Sequence, residues 1–479
     1  MTDQFPEFEG GDVRVVLTTG RQYQLHASIL RQHSRTMRDL LNPRTAIDLS
    51  SRAVRKGAST RWKMVLVPTD DEDAALRFQL SIVPLTDSGV EPRGSTTTIV
   101  VENENGRVSD PLFKAYHSIL AALHGLPIDL GDAQEDNMAD LLKAALEALS
   151  VAEYLQCVPI VTGPIEATLL ATGQNLYRAI AENPTGWLVF SDRIRSRAIF
   201  KEAMIHAVGR YNTDKIQTVI HDGAMHDGIV SILERKAQEV INGVSITMRR
   251  LSAYYPISLT RVATVGRIDK DNTGRADYGN DILGWMALCV FRHWLGDMMA
   301  TDHTTHDKDM GFFFIQLIAQ GGNAYLNRTL MQQSFHAKFP MSPKGMNAVE
   351  FRLTEIKNNV KDYVKGYFKP TCQLDLHRYP VKHYTHTNIA PEDFPWHAEQ
   401  AAARNADIER VMYGLGNADE DEDLDEDGDL TSVYGASEAE AHEEGSGYEG
   451  GNDAEGSDTG TQQNDQDDDN GEDDDGDTS

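Results

Sequence analysis

Apolar and polar positions first alternate near the start of the chain. Val13, Val15 and Leu17 are interleaved with Arg14 and Val16, Thr18-Thr19-Gly20 supplies a turn, and Tyr23 and Leu25 resume the period of two, which predicts a β-hairpin. The period then changes. Ile29, Leu30, His33, Met37, Leu40 and Leu41 recur at intervals of three and four, as on a helix with one apolar face. Asn42-Pro43 ends it, because proline lacks an amide donor and disfavours a helical residue before it. Residues 62–67, 78–85 and 96–102 read as strands, with Phe78, Leu80 and Ile82 on one face. The loops between them carry charge, as at Asp70-Asp71-Glu72-Asp73, or Pro and Gly, as at Glu91-Pro92-Arg93-Gly94.

Helical spacing dominates from there on. Leu112, Tyr116, Ile119, Leu120 and Leu123 form one face, closed by Gly125 and Pro127; Met138, Leu141, Leu142, Ala145, Leu149, Ala152 and Leu155 form a longer one, and Ile165, Leu169 and Leu170 a third. Leu176, Tyr177 and Ile180 precede Asn183-Pro184, residues 187–194 continue, and Ile199, Met204, Ile205 and Val208 mark a further helix. Residues 232–248 read as a long exposed helix of mixed charge. Residues 278–297 carry Ile282, Trp285, Met286, Cys289, Val290 and Trp294 at helical spacings, residues 312–318 are apolar enough to be buried, and Phe351, Ile356, Val360 and Val364 close the helical part. The fold class expected is α+β: a small sheet with helices and an inserted β region, then a mainly helical domain.

Charge divides the chain differently. Of its 479 residues, 74 are acidic and 45 are Lys or Arg, but 26 of the acidic residues and no Lys or Arg fall in 419–479. The remaining 418 residues hold 48 acidic and 45 basic side chains, so the folded part is near neutral and lacks the basic footprint of a nucleic-acid binder. The tail has too little apolar content to offset the entropy of ordering and is expected to be a disordered, low-complexity segment. It is read as a solubilising arm; its polyanionic character also suits basic protein partners.

Candidate chemistry is sparse. The G-x-x-x-x-G-K-[ST] phosphate loop, the nucleophile elbow and His-Glu-x-x-His are absent from the sequence. Asp302-His303-Thr304-Thr305-His306-Asp307 sets two imidazoles among carboxylates but offers no third ligand at a clear spacing, so it reads as a solvated loop. Cys372, His377, His383, His386 and His397, interleaved with Tyr379, Tyr384, Phe394 and Trp396, read as a proline-punctuated extended segment that packs its aromatics on the body. No catalytic residue, cofactor or metal is therefore expected. Asn327-Arg328-Thr329 is a glycosylation sequon by chance. Three scattered cysteines, Cys157, Cys289 and Cys372, suit a reducing compartment, and the polar residues 1–11 predict no signal peptide, so an intracellular place, cytoplasm or nucleus, is expected.

The ordered set Asp12, His26, Ser34, Met37 and Leu40-Leu41 resembles the opening of a BTB/POZ domain. The resemblance implies that Asp12 starts the first strand, His26 begins the first helix, and Ser34, Met37 and Leu40 follow as structural or interface positions. It divides the chain into a disordered 1–11, a BTB/POZ-like domain at 12–170 with an insertion at about 43–110, a helical domain at 171–367, an extended Pro/His/aromatic segment at 368–418 and the acidic tail at 419–479. Residues 12–367 also resemble a group of uncharacterised fungal proteins, through Trp187-Leu188, Ile194-Arg195-Ser196, Trp285-Met286-Ala287-Leu288 and Gly321-Gly322-Asn323-Ala324-Tyr325-Leu326. The function implied is a protein-interaction scaffold or adaptor, not an enzyme, that binds protein partners or itself as a homodimer. Two alternatives in the same class are a substrate adaptor bound to a cullin scaffold and an acidic-tailed chromatin-associated factor. An alternative in a different class is a metal-dependent enzyme using His303, His306 or the Cys372 cluster. No membrane association is expected.

Overall fold

The computed structural model describes residues 5–69, 76–92, 111–131, 137–260, 276–301 and 303–397. The expected strand at 96–102, the acidic loop at 70–73 and the acidic tail lie outside the described residues. The chain divides into two units, Met1–Tyr413 and Gly414–Ser479; the second falls wholly outside that description. The fold is α+β, with a small sheet at the N-terminal end of a mostly helical body.

The predicted hairpin forms as β1 (Val13–Thr18) and β2 (Arg21–Leu25). Strand β3 (Trp62–Pro68) pairs parallel to β1 and antiparallel to β4 (Phe78–Val83), giving the order β2-β1-β3-β4. Parallel pairing needs a crossover, supplied by α1 (Ala27–His33), α2 (Arg35–Leu40) and α3 (Ser51–Arg55). The single helix expected through Leu41 is broken at Ser34. There the side chain leaves the helical pattern to cap α2, accepting from the Met37 amide at 3.0 Å and donating to the Leu155 carbonyl at 2.5 Å. One face of the sheet places Val13, Val15 and Leu17 in the main core, while Val16, Val65 and Val83 make a small cluster on the other. Residues 5–11, expected to be disordered, lie along β2: the Phe8 amide donates to the Gln24 carbonyl at 3.0 Å and Phe8 stacks on His124.

The body follows as α4 (Pro111–Leu123), α5 (Met138–Tyr154), α6 (Val158–Ala171), α7 (Gln174–Glu182), α8 (Pro184–Ile194), α9 (Arg197–Gly209), α10 (Asp214–His221) and α11 (Asp227–Ser252). It ends with α12 (Ala276–Ala300), α13 (Phe312–Gln320), α14 (Arg328–Gln333), α15 (Phe335–Lys338) and α16 (Pro343–Val364). One continuous apolar core runs from Val13 to Trp396. Two expectations of exposure need correction. Helix α11 is not an exposed rod, because Ile229, Leu233, Val240, Val244 and Leu251 line a buried stripe that its mixed charge hides in a count of residue types. Phe351, expected in the core, is 61% exposed, since α16 turns Val349, Leu353, Ile356 and Val360 inward instead.

From Lys369 the chain runs without long helices as a strap over the bundle. Its end is pinned by Asp393, which is buried and accepts from Arg235 at 2.5 Å and from the Ala390 amide at 2.8 Å, with Lys236 at 3.1 Å. Burial alone would raise the Asp393 carboxyl, but these donors and cations outweigh it and hold it below the usual carboxylate range. Phe394 and Trp396 close on Phe200 edge-on, at 5.7 and 5.3 Å between ring centroids.

A second fixed point lies between α13 and α14, where Gly321, Gly322 and Leu326 all adopt left-handed backbone. Leu326 in that region is strained by about 1 kcal/mol or more. Lys357 of α16 holds the turn: its buried ammonium donates to the carbonyls of Gly322, Tyr325 and Leu326 at 2.8, 2.7 and 3.0 Å. Burial pulls its pKa down to about 8, which still leaves it mostly protonated at neutral pH, with three donors for three acceptors. Lys357→Met strands those carbonyls and is expected to cost about 3 kcal/mol in urea unfolding. A loss under about 0.5 kcal/mol would show that the turn holds without it.

Candidate functional site

Two places in the body combine shape with chemistry. The first is a cleft of about 300 Å³ between the segment after α11 and helices α12 and α16, lined by Tyr254, Pro256, Ile257, Ser258, Leu259, Gly284, Arg352, Glu355, Ile356, Asn358 and Asn359. Its floor is rigid. Tyr254 is buried, its hydroxyl accepts from Asn359 Nδ2 at 2.9 Å, and its carbonyl accepts from Arg292 at 3.0 Å. Burial raises the Tyr254 phenol above its ordinary value, against the pull of the Asn359 donor, so it stays a neutral hydroxyl. At the mouth, Arg352 pairs with Glu355 at 2.7 Å.

Large apolar side chains are exposed on and beside the segments that line the cleft. Ile257 is 82% exposed and Trp285 47%, with the Trp285 ring edge-on to Tyr255 at 5.9 Å. Exposed Phe351 lies one helical turn before Glu355 on α16, and so on the same face. Ile257 lines the cleft itself, while Trp285 and Phe351 adjoin its lining residues Gly284 and Arg352 in sequence; single exposed apolar residues are ordinary, whereas clusters of them are a feature of surfaces that bind.

The second place is buried, where the strap crosses α9. Glu202 and His206, one turn apart, meet Cys372 from the strap, and their ligand atoms all lie within 4.8 Å of one another. The Glu202 carboxylate accepts from the amides of Gln373 at 2.7 Å and Leu374 at 3.0 Å. His206 Nδ1 is 2.9 Å from His383 Nε2, and His383 Nδ1 lies 3.5 Å from Arg210 Nε. Arginine only donates, so His383 accepts at Nδ1 and donates from Nε2, which leaves His206 with its proton on Nε2, 3.4 Å from Glu202. Burial, then the neighbouring His206 and Arg210, push His383 down to about 2, while burial and Glu202 raise the Cys372 thiol.

The residues singled out from sequence fall elsewhere and do local work. Asp12 Oδ1 accepts from the Ala27 amide at 2.7 Å, capping α1 in place of His26, whose ring lies against Phe8. Met37 is fully buried, Leu40 is half-buried and packs on the core, and Ser34 caps α2 as described above. His303 packs on the Phe313 ring at 5.3 Å, and among the described residues no third ligand joins it and His306. Of the Cys372 cluster, Cys372 and His383 come together at α9, His386 packs edge-on against Tyr367 and Tyr384, and His377 is exposed. Asn327 of the sequon caps α14, accepting from the Leu330 amide at 2.9 Å. Glu202 and His206 were passed over because α9 reads as core; a Glu and a His four apart on so apolar a helix were the available signal. The cleft had none, since its walls come from three separated segments.

Comparison with known families places a match on the first of these sites. A family model described as an FF domain, of a fungal type, matches residues 256–366, which begin at Pro256 in the cleft wall and take in α12 and α16. The match covers a minority of the chain, which is similar to that family over this segment. No curated protein and no solved structure matches the chain. The BTB/POZ assignment is thereby corrected: the family found is an FF domain, and it lies in the helical part rather than at 12–170. The physical reason is that Asp12, Ser34, Met37 and Leu40 serve capping and packing needs that any hairpin-to-helix junction has, so their order and spacing are not diagnostic. FF domains are protein-interaction modules, which makes partner binding plausible for the matched segment.

Proposed function

We propose that this protein is a partner-binding scaffold or adaptor, not an enzyme, and that the cleft walled by Tyr254–Leu259, α12 and α16 is its contact surface for another protein. The observation that carries this reading is the exposure of Ile257, Trp285 and Phe351 around a preformed floor inside the segment similar to FF domains. A partner offering an apolar side chain to the floor and a polar group to Arg352 and Glu355 fits the lining. The protein acts within the cell, where the free thiols of Cys157, Cys289 and Cys372 stay reduced. Among the described residues no helix is long and apolar enough to cross a membrane.

The test is affinity capture with the full chain and with Ile257→Ser/Phe351→Ser. Both positions are mostly exposed, so the melting temperature should not move, whereas recovery of the bound partner should fall about tenfold or more. Unchanged recovery would remove the cleft from the account.

A further inference from the structure

We propose that Glu202, His206 and Cys372 form a binding site for a divalent transition metal of the zinc class, which fastens the strap to α9. Carboxylate, imidazole and thiolate are the donors that zinc takes, and harder cations such as magnesium and calcium avoid the thiolate. The three ligand atoms already lie within 4.8 Å of one another, and Glu202 and His206 are 2% and 0% exposed. Closing on an ion requires movements of about 1 Å, given metal–ligand bonds of about 2.0–2.3 Å.

A second, independent observation points into the same space. His206 Nε2 is completely buried and makes no hydrogen bond; the Glu202 oxygen 3.4 Å away is too poorly placed to accept from it. A buried ring nitrogen in that state destabilises the fold, and ligation satisfies it. The supporting groups are also in place. A ligating histidine donates its other ring N–H to a partner, and His383 Nε2 stands 2.9 Å from His206 Nδ1 to accept. Glu202 keeps its two backbone donors, because each carboxylate oxygen has a second lone pair for the ion.

The protons balance as follows. His206 carries its proton on Nε2 when empty and on Nδ1 when ligated; His383 correspondingly moves its proton from Nε2 to Nδ1 and gives up the long 3.5 Å contact with Arg210. The histidines neither gain nor lose a proton overall. The Cys372 thiol loses one to solvent, since a coordinating thiol is deprotonated.

Cobalt(II) tests this on the full-length protein after chelation, because a thiolate-to-cobalt charge-transfer band separates this site from weak carboxylate binding elsewhere on an acidic chain. The expected result is such a band saturating at one equivalent and displaced by zinc. Cys372→Ser should abolish it, Glu202→Gln should weaken apparent affinity about tenfold or more, and Cys289→Ser, at an exposed thiol, should leave it intact. Zinc should also raise the melting temperature of the wild type but not of Cys372→Ser. Absence of the band, or its survival in Cys372→Ser, overturns the proposal.

Discussion

Gly209→Ala is expected to destabilise the protein by about 2 kcal/mol or more, opposite in sign to the usual effect of this change in a helix. Gly209 is the last residue of α9 and has an ordinary helical backbone, so Ala would normally gain about 0.5–1 kcal/mol. Here the strap occupies the space. A Cβ would run into the carbonyl of Tyr384 and sit 2.8 Å from the His383 ring, and neither is a flexible chain end that can swing aside. Overpacking of this kind costs about 1–3 kcal/mol and here displaces the fully buried Tyr384 with it. Urea unfolding measures it, with Gly296→Ala as control. Gly296, inside α12, has nothing within 4 Å of its Cβ position and should show the ordinary gain. A gain at both positions would mean that the strap does not lie against α9.

That close approach shows what the sequence could and could not convey. Periodicity located the hairpin, most of the helices and their inward faces, because those depend on neighbours three, four or two residues away. The strap was legible in part: its prolines and aromatics predicted an extended segment packed on the body, but not that Tyr384 and His383 would replace a side chain at Gly209. Contacts between residues more than 150 apart, such as Arg235 with Asp393 or Glu202 with Gln373, leave no local signature. The same holds for the cleft. Trp285 was read as a core position on a helix face, and only the packing of α12 beside the Tyr254–Leu259 segment turns it outward. The family resemblance failed for a related reason, since it rested on capping and packing residues that many folds share.

Acid should begin to destabilise the protein above the carboxylate range. Burial holds His386 at about 4, and burial together with His206 and Arg210 holds His383 at about 2, whereas both titrate near 6.5 in the unfolded chain. Both are lowered, so below pH 6.5 the unfolded state binds protons that the folded state refuses. Stability therefore falls as pH falls, through about pH 4 for His386 and further for His383. At pH 4 each contributes a loss of up to about 3 kcal/mol, which together is comparable with the whole stability of many domains. Asp393, held below its ordinary value, adds a loss in the same direction below about pH 3.8. Urea unfolding of chelator-treated protein at pH 7, 6, 5 and 4 should show the decline beginning near 6.5. His386→Phe, which keeps the ring between Tyr367 and Tyr384, should flatten it by about one proton. A stability curve level from pH 7 to 4 would mean that these rings are solvated and the strap is loose.

The central claim is that the cleft beside Ile257 is where another protein binds. A photo-crosslinking residue placed at position 257 of the full chain tests it most directly, with the same residue at Val54, 55% exposed on α3, as the comparison. The account predicts a discrete adduct from position 257, abolished by Phe351→Ser and absent from position 54. Adducts of the same protein from both positions, or from position 54 alone, would contradict it.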